Sequence, residues 1–363
     1  MKKHSSLLAF LLILSFFINF FCPVSALSQQ STNDFFSETD MTDYAHSKIV
    51  SYLNIHSLFE DNVSYFLTQG IPIENDNDPY NYIFFVFANS NNVGYLTVTF
   101  LDGSYCSSFV CSQFPEIEVA ISEHIQVELI VFDETCYLAH SGIYESLGQN
   151  SHRNYALPSS ASAGANANNG GQVLSLNPIQ FPTASLRGSS VTVTKELSVE
   201  HVSNDTSPNT GLGLCWAACI ASIGEYKAGG NLLSALDVYN WALTNGYTGG
   251  HLFPLGIPSV ELPTLNNLYS LSYSYYPVGM YFETTWSTLE QNRPIYAAIS
   301  RSGGQRAVVI CGAIDDSGTY YYYKLMDPNV GYYVTIEVPY ASNTFTYVTS
   351  YGYTYTSWDY RLS

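Results

Sequence analysis

From Leu214 onward the sequence reads as helices first and strands afterwards, and this order limits the fold more than any other feature of the chain. Residues 215–226 are apolar and suit a helix, which Gly229-Gly230 should end, because glycine takes the left-handed conformation common at helix C-termini. Two more helices are expected over residues 233–244 and 284–291, with residues 246–263 rich in loop. Residues 294–300, 306–314, 320–326 and 332–339 then read as strands. A parallel sheet needs strands and helices to alternate, so this segregation points to an α+β domain. Two lobes are expected, one helical and one an antiparallel sheet.

The N-terminal half carries its own pattern. Residues 42–58 place Tyr44, Ile49, Leu53 and Ile55 at helical spacing. Residues 80–87 and 93–100 read as a strand pair around the turn 88–92, and Asp102-Gly103 marks the next turn. Residues 115–132 mix helix and strand signals, the second half reading as strand, and residues 136–138 suit another. This half is expected to be a small α+β module. Residues 156–171 change to Ala, Ser, Gly and Asn, the composition of a linker. At 363 residues the chain has length for about two domains. The expected division is a leader over 1–26, the module over 27–155, a linker and connecting segment over 156–204, and a second domain over 205–363.

The leader carries Lys2, Lys3 and His4, then an apolar run over 7–21 broken only by Ser15 and Asn19, then the small-residue pattern Val24-Ser25-Ala26. That is the form of a secretory signal, so a secreted protein is expected. The apolar run is short for a membrane span, and stable membrane insertion is not expected. With a formal charge of −18 and only 12 Lys and Arg, the chain repels nucleic acid and anionic membranes. Its 31 Tyr and 20 Phe supply strands and core. No His, Cys and Asp residues cluster with metal-ligand spacing, so neither metal nor cofactor is expected, and Asp315-Asp316 before Gly318 reads as a hairpin turn. Of the 7 cysteines, Cys22 falls in the leader. If Cys215 is kept free for chemistry, Cys219 and Cys311 are left as a candidate disulfide pair in the second half; the alternative is two buried thiols.

The chemistry centres on Gly213-Leu214-Cys215-Trp216-Ala217-Ala218-Cys219. A helix N-terminus carries roughly half a positive charge, which favours thiolate over thiol. The Cys-Trp-Ala-Ala opening is followed in order by Arg293-Pro294-Ile295-Tyr296-Ala297, by Ala307-Val308-Val309-Ile310 after Gly303-Gly304, and by Met326-Asp327-Pro328-Asn329. This series resembles the papain-like cysteine peptidases, and among them the compact bacterial staphopain-like and bacteriocin-processing enzymes, over residues 205–363. The resemblance implies a nucleophilic Cys215, an orienting Asp327 and an oxyanion donor in Asn209, where the family carries glutamine. It further implies a peptide or protein as substrate or ligand, and an N-terminal module acting on the domain as inhibitor or folding aid.

The chain departs from this pattern at one position. Where the family carries histidine it has Gln305-Arg306, and aligning on Ala-Val-Val puts Arg306 in that place. The histidine takes the thiol proton and later protonates the leaving amine. Arginine does not release its proton at accessible pH, although its charge can stabilise a thiolate. His251 is a lone loop histidine and His201 precedes the domain core, so neither is an obvious replacement. The residues leave two readings open: a cysteine peptidase homologue with its base lost or replaced, or an inactive pseudopeptidase that binds peptides or a protein partner.

Overall fold

Aromatic and β-branched residues fill the strands marked by the sequence, and most of those strands join one antiparallel sheet. The computed structural model describes residues 37–58, 63–73, 80–132, 135–140, 143–146, 172–179, 192–204, 213–230, 232–247, 258–301, 304–316, 318–349 and 353–363. The expected leader and linker, Asn209 and His251 lie outside the described residues. The chain divides into Met1–Glu38 and Thr39–Ser363, and the sheet and its helices belong to the second unit.

In the N-terminal half, helix α1 (Glu38–Ile55) precedes strands β1 (Tyr65–Thr68), β2 (Ile71–Ile73), β3 (Asn81–Ala88), β4 (Asn91–Leu101) and β5 (Ser104–Val110). Helix α2 (Pro115–Ser122) and strands β6 (Gln126–Phe132), β7 (Thr135–His140) and β8 (Ile143–Ser146) come after them. The mixed signal over 115–132 is thus a helix and then a strand. Short strands β9 (Gln172–Val173), β10 (Leu176–Pro178) and β11 (Thr192–Glu196) come next. The last part holds helices α3 (Cys215–Ala228), α4 (Ala235–Thr244), α5 (Pro258–Tyr269) and α6 (Phe282–Glu290). Among them lies β12 (Tyr275–Tyr276), and after them come β13 (Ile295–Arg301), β14 (Gly304–Asp316), β15 (Tyr320–Met326), β16 (Tyr333–Val338), β17 (Tyr347–Val348), β18 (Thr354–Tyr355) and β19 (Ser357–Leu362).

Helices before strands is therefore the order found, with one correction. Residues 246–263, read as loop-rich, contain the start of α5. Its helical pattern is obscured by Pro258 at the start and Pro263 inside, a residue that cannot donate the backbone bond of a helix interior.

The main sheet runs β10-β1-β3-β4-β5-β16-β15-β14-β13-β19-β12, with β2 beside β3 and β11 beside β14. The N-terminal and C-terminal strands meet where Val110 pairs with Val334, Phe109 with Thr335 and Ser108 with Ile336. Without β5, strand β16 would present an open edge, which invites mispairing. Helix α1 crosses this seam with Met41, Ala45, Ile49, Tyr52 and Leu53 buried. Tyr52 stacks on Phe109 at 5.3 Å and lies 5.6 Å from the Tyr322 ring. The connecting segment also reaches both sides, since β10 pairs with β1 and β11 with β14.

Helix α3 is buried at every position from Trp216 to Gly224, as expected of a helix that is apolar all round. Cys219 and Cys311 are free thiols, which corrects the candidate disulfide. Cys219 packs within α3's buried surface, whereas the Cys311 thiol donates to the Lys324 carbonyl at 3.4 Å across β14 and β15. No described helix is long and apolar enough to cross a membrane.

Candidate active site

The head of α3 is held from outside the helix. The Leu214 N–H donates to Asn204 Oδ1 at 2.9 Å, so a side chain ten residues upstream satisfies one of the open amides that begin a helix. Asn204 Nδ2 donates to Asn329 Oδ1 at 2.9 Å, and the Asn204 N–H donates to the Pro328 carbonyl at 2.9 Å. One buried asparagine therefore ties the start of α3 to the Asp-Pro turn. Cys215, the first residue of the helix, is half-buried, and Cys219 is fully buried one turn further on. Burial holds the Cys219 thiol far above its ordinary pKa, with further contributions from the charges of Cys215, Asp327 and Glu261.

Strand β14 brings Arg306 to the same place. Gln305 is exposed and Arg306 is 3% exposed, so Arg306 is the residue of this pair that the strand turns inward. Its Nη1 donates to Asp327 Oδ2 at 2.9 Å, and Asp327, at the end of β15, has no exposed surface. The Tyr347 hydroxyl donates to the same Oδ2 at 2.5 Å, and the Asn329 N–H donates to Oδ1 at 2.9 Å. Asp327 thus both caps its own turn and anchors Arg306. The Arg306 guanidinium lies 5.5 Å from the Tyr355 ring centroid, and Tyr355 stacks on Tyr347 at 6.2 Å. Burial raises Tyr347 well above the ordinary tyrosine pKa, and the Asp327 charge adds to this.

A narrow cavity of about 20 Å³ joins these groups. That is room for about one water molecule. Cys215 and Trp216 line it from α3, Arg306 from β14, Glu261 from α5, Tyr296 from β13 and Tyr360 from β19. Glu261 has no exposed surface. The Tyr296 hydroxyl donates to its Oε1 at 2.5 Å, and the Tyr360 hydroxyl donates to its Oε2. The pairing of β13 with β19 sets this up: Ala298 faces Tyr360, and the Tyr296 and Tyr360 rings stack at 6.2 Å and 18°. Burial pushes the Glu261 carboxyl up to about 7, against the pull of the two hydroxyls.

Of the residues singled out in the sequence, Cys215 and Arg306 share the cavity, and Asp327 holds Arg306 from behind. His201 meets the site through its Nε2, which lies 3.0 Å from the Asp327 backbone carbonyl, and burial lowers its pKa. Sequence reading missed Asn204, Glu261, Tyr296, Tyr347 and Tyr360. Among these only Glu261 left a trace, a lone acid in the apolar run Val260-Glu261-Leu262.

Chemically, the arrangement presents a thiol beside an ion pair whose cation is already committed to a carboxylate. Arg306 supplies charge and shape and does not supply a removable proton. No group of three or more His, Cys, Asp or Glu residues suited to a metal ion occurs among the described residues.

These features define a thiol site on an α+β scaffold, and the comparison with known families agrees. Residues 202–342 match the family described as papain-like cysteine protease AvrRpt2. The match spans Asn204, Cys215, Glu261, Arg306 and Asp327, and it supports a papain-like cysteine peptidase superfamily for this part of the chain. No curated protein matches the chain.

Proposed function

We propose that residues 205–363 are a papain-like cysteine peptidase homologue of the compact bacterial kind, in which Cys215 is the nucleophile and Arg306 occupies the place of the histidine. The observation that carries this reading is the shared cavity of Cys215 and Arg306, with Arg306 bonded to Asp327 at 2.9 Å. That Cys215 and Arg306 share a cavity while Asp327 holds Arg306 supports the roles the resemblance implies. In this reading the protein is made as a secreted precursor, residues 27–155 act on the domain as inhibitor or folding aid, and residues 156–171 hold the processing site. The substrate is a peptide or protein. Asn209 remains the proposed oxyanion donor, with an amide that can make the required hydrogen bond.

A second reading is favoured by one observation, the burial of Arg306 in its ion pair. A site whose histidine position is filled by a permanent cation suits a pseudopeptidase that binds a peptide or protein partner without cutting it. The full chain separates the two, because β5 completes the sheet beside β16. It is incubated with a denatured protein substrate, in parallel with Cys215→Ala. Hydrolysis that disappears in Cys215→Ala supports the peptidase. Adduct formation at Cys215 with a thiol reagent but no hydrolysis supports the pseudopeptidase. A Cys215 that never reacts contradicts the peptidase.

A further inference from the structure

We propose that Glu261 is the proton acceptor for Cys215, taking the role that Arg306 cannot fill. The inference rests on the reading of Cys215 as a nucleophile and adds the missing base.

Glu261 is the carboxylate that lines the Cys215 cavity, on a helix packed directly against α3. Its contacts are two tyrosine hydroxyls, both donating, and no cation pairs with it among the described residues. A buried acid without a cationic partner is costly to keep for stability alone, which makes it a candidate for chemistry. The hydroxyls of Tyr296 and Tyr360 from β13 and β19 bond it, Cys215 from α3 and Arg306 from β14 line the same cavity, and its charge acts on the Cys219 thiol. Arg306 is bonded to Asp327, so Glu261 is the group in the cavity that is free to gain and lose a proton near neutrality. Burial pushes it up to about 7, the range in which a general base works best at neutral pH.

As sulfur bonds to the substrate carbonyl carbon, the S–H bond breaks and its proton passes to Glu261, through the Tyr360 hydroxyl or one water in the cavity. The carbonyl electron pair moves to oxygen. Collapse breaks the C–N bond, and Glu261 returns the proton to the departing amine. Water then attacks the thioester and gives a proton to Glu261. The sulfur leaves and regains that proton, restoring thiol and carboxylate.

The test is the pH profile of Cys215 alkylation by iodoacetamide, with site-specific mass mapping, in the full chain, in Glu261→Gln and in Tyr360→Phe. The unaltered protein is expected to show a rise in rate with an inflection near pH 7. Glu261→Gln is expected to lose that inflection, and its rate at pH 7 to fall about a hundredfold, the lower edge of general-base effects. Tyr360→Phe keeps the carboxyl but removes one bond that holds it ionised, so its inflection should move to higher pH. Profiles that superimpose in Glu261→Gln and the unaltered protein overturn the inference while leaving Cys215 as nucleophile. If Glu261→Gln fails to fold, an unmoved inflection in Tyr360→Phe overturns it. Absence of Cys215 alkylation at every pH in the unaltered protein instead removes the reading on which the inference rests.

Discussion

Arg306 donates from Nη1 to Asp327 Oδ2 at 2.9 Å, with side-chain exposures of 1% and 0%. A buried pair of this kind adds little net stability, but losing one partner strands the other charge. Arg306→Leu should therefore destabilise the full chain by about 3–5 kcal/mol in denaturant unfolding. The double variant Arg306→Leu/Asp327→Leu should lose clearly less than the sum of the two single changes. Strict additivity would mean the pair does not act as a unit.

The approach of α5 to α3 depends on Gly224. A Cβ at that position would lie 2.2 Å from the Tyr269 ring. Helix propensity favours alanine over glycine by about 1 kcal/mol, and overpacking costs about 1–3 kcal/mol. Gly224→Ala should lower stability by up to about 2 kcal/mol net. In a Tyr269→Leu background the same change should be neutral or stabilising, as read from thermal unfolding.

The Glu261 carboxyl makes stability depend on pH with a definite sign. Its folded-state pKa of about 7 exceeds the ordinary 4.5, so the folded state binds the extra proton between these values. Its contribution is fully present below about pH 4.5 and is lost as pH rises toward 7. The loss is on the order of 3 kcal/mol. His56, lowered to about 4 by burial, works the opposite way, gaining stability as pH rises toward 6.5. The Glu261→Gln difference from the unaltered protein isolates the acid: its pH dependence should contain the falling component with opposite sign. A difference that stays flat from pH 4.5 to 7 would contradict the burial argument.

Thiol reactivity should divide along exposure. Cys111 is exposed and Cys106 and Cys215 half-buried, with burial pushing the Cys106 thiol up, whereas Cys219 and Cys311 are buried and burial pushes Cys311 up to about 12. Native alkylation at pH 8 and subsequent peptide mapping should mark Cys111 and Cys215, with Cys219 and Cys311 reacting only after denaturation. Native modification of Cys219 at the rate of Cys215 would mean that α3 is less well packed than its burial implies.

Local signals made much of this legible. The apolar run after Cys215, closed by glycine, and the alternating or apolar strands of the last part depend on near neighbours, and they appear within a few residues of their expected ends. The Arg306 position was legible because Ala307-Val308-Val309 fixes the strand and hence the inward-facing residue. What stayed hidden depends on long-range contacts. Helix α5 was obscured by two prolines whose effect tertiary packing overrides. The pairing of β5 with β16 joins segments more than two hundred residues apart, and no pattern in either strand names its partner. Glu261 gains meaning only when Tyr296 and Tyr360, from two strands distant in sequence, close on its carboxyl.

The peptidase reading turns on Cys215 as the reactive group of a peptide-binding cleft. The decisive measurement treats the full chain at neutral pH with a panel of peptidyl vinyl sulfones and locates the adducts by mass spectrometry. The expected result is a peptide-dependent adduct on Cys215, absent in Cys215→Ala and competed by unlabelled peptide. Adducts on Cys111 with none on Cys215, across the panel, would contradict that role for Cys215.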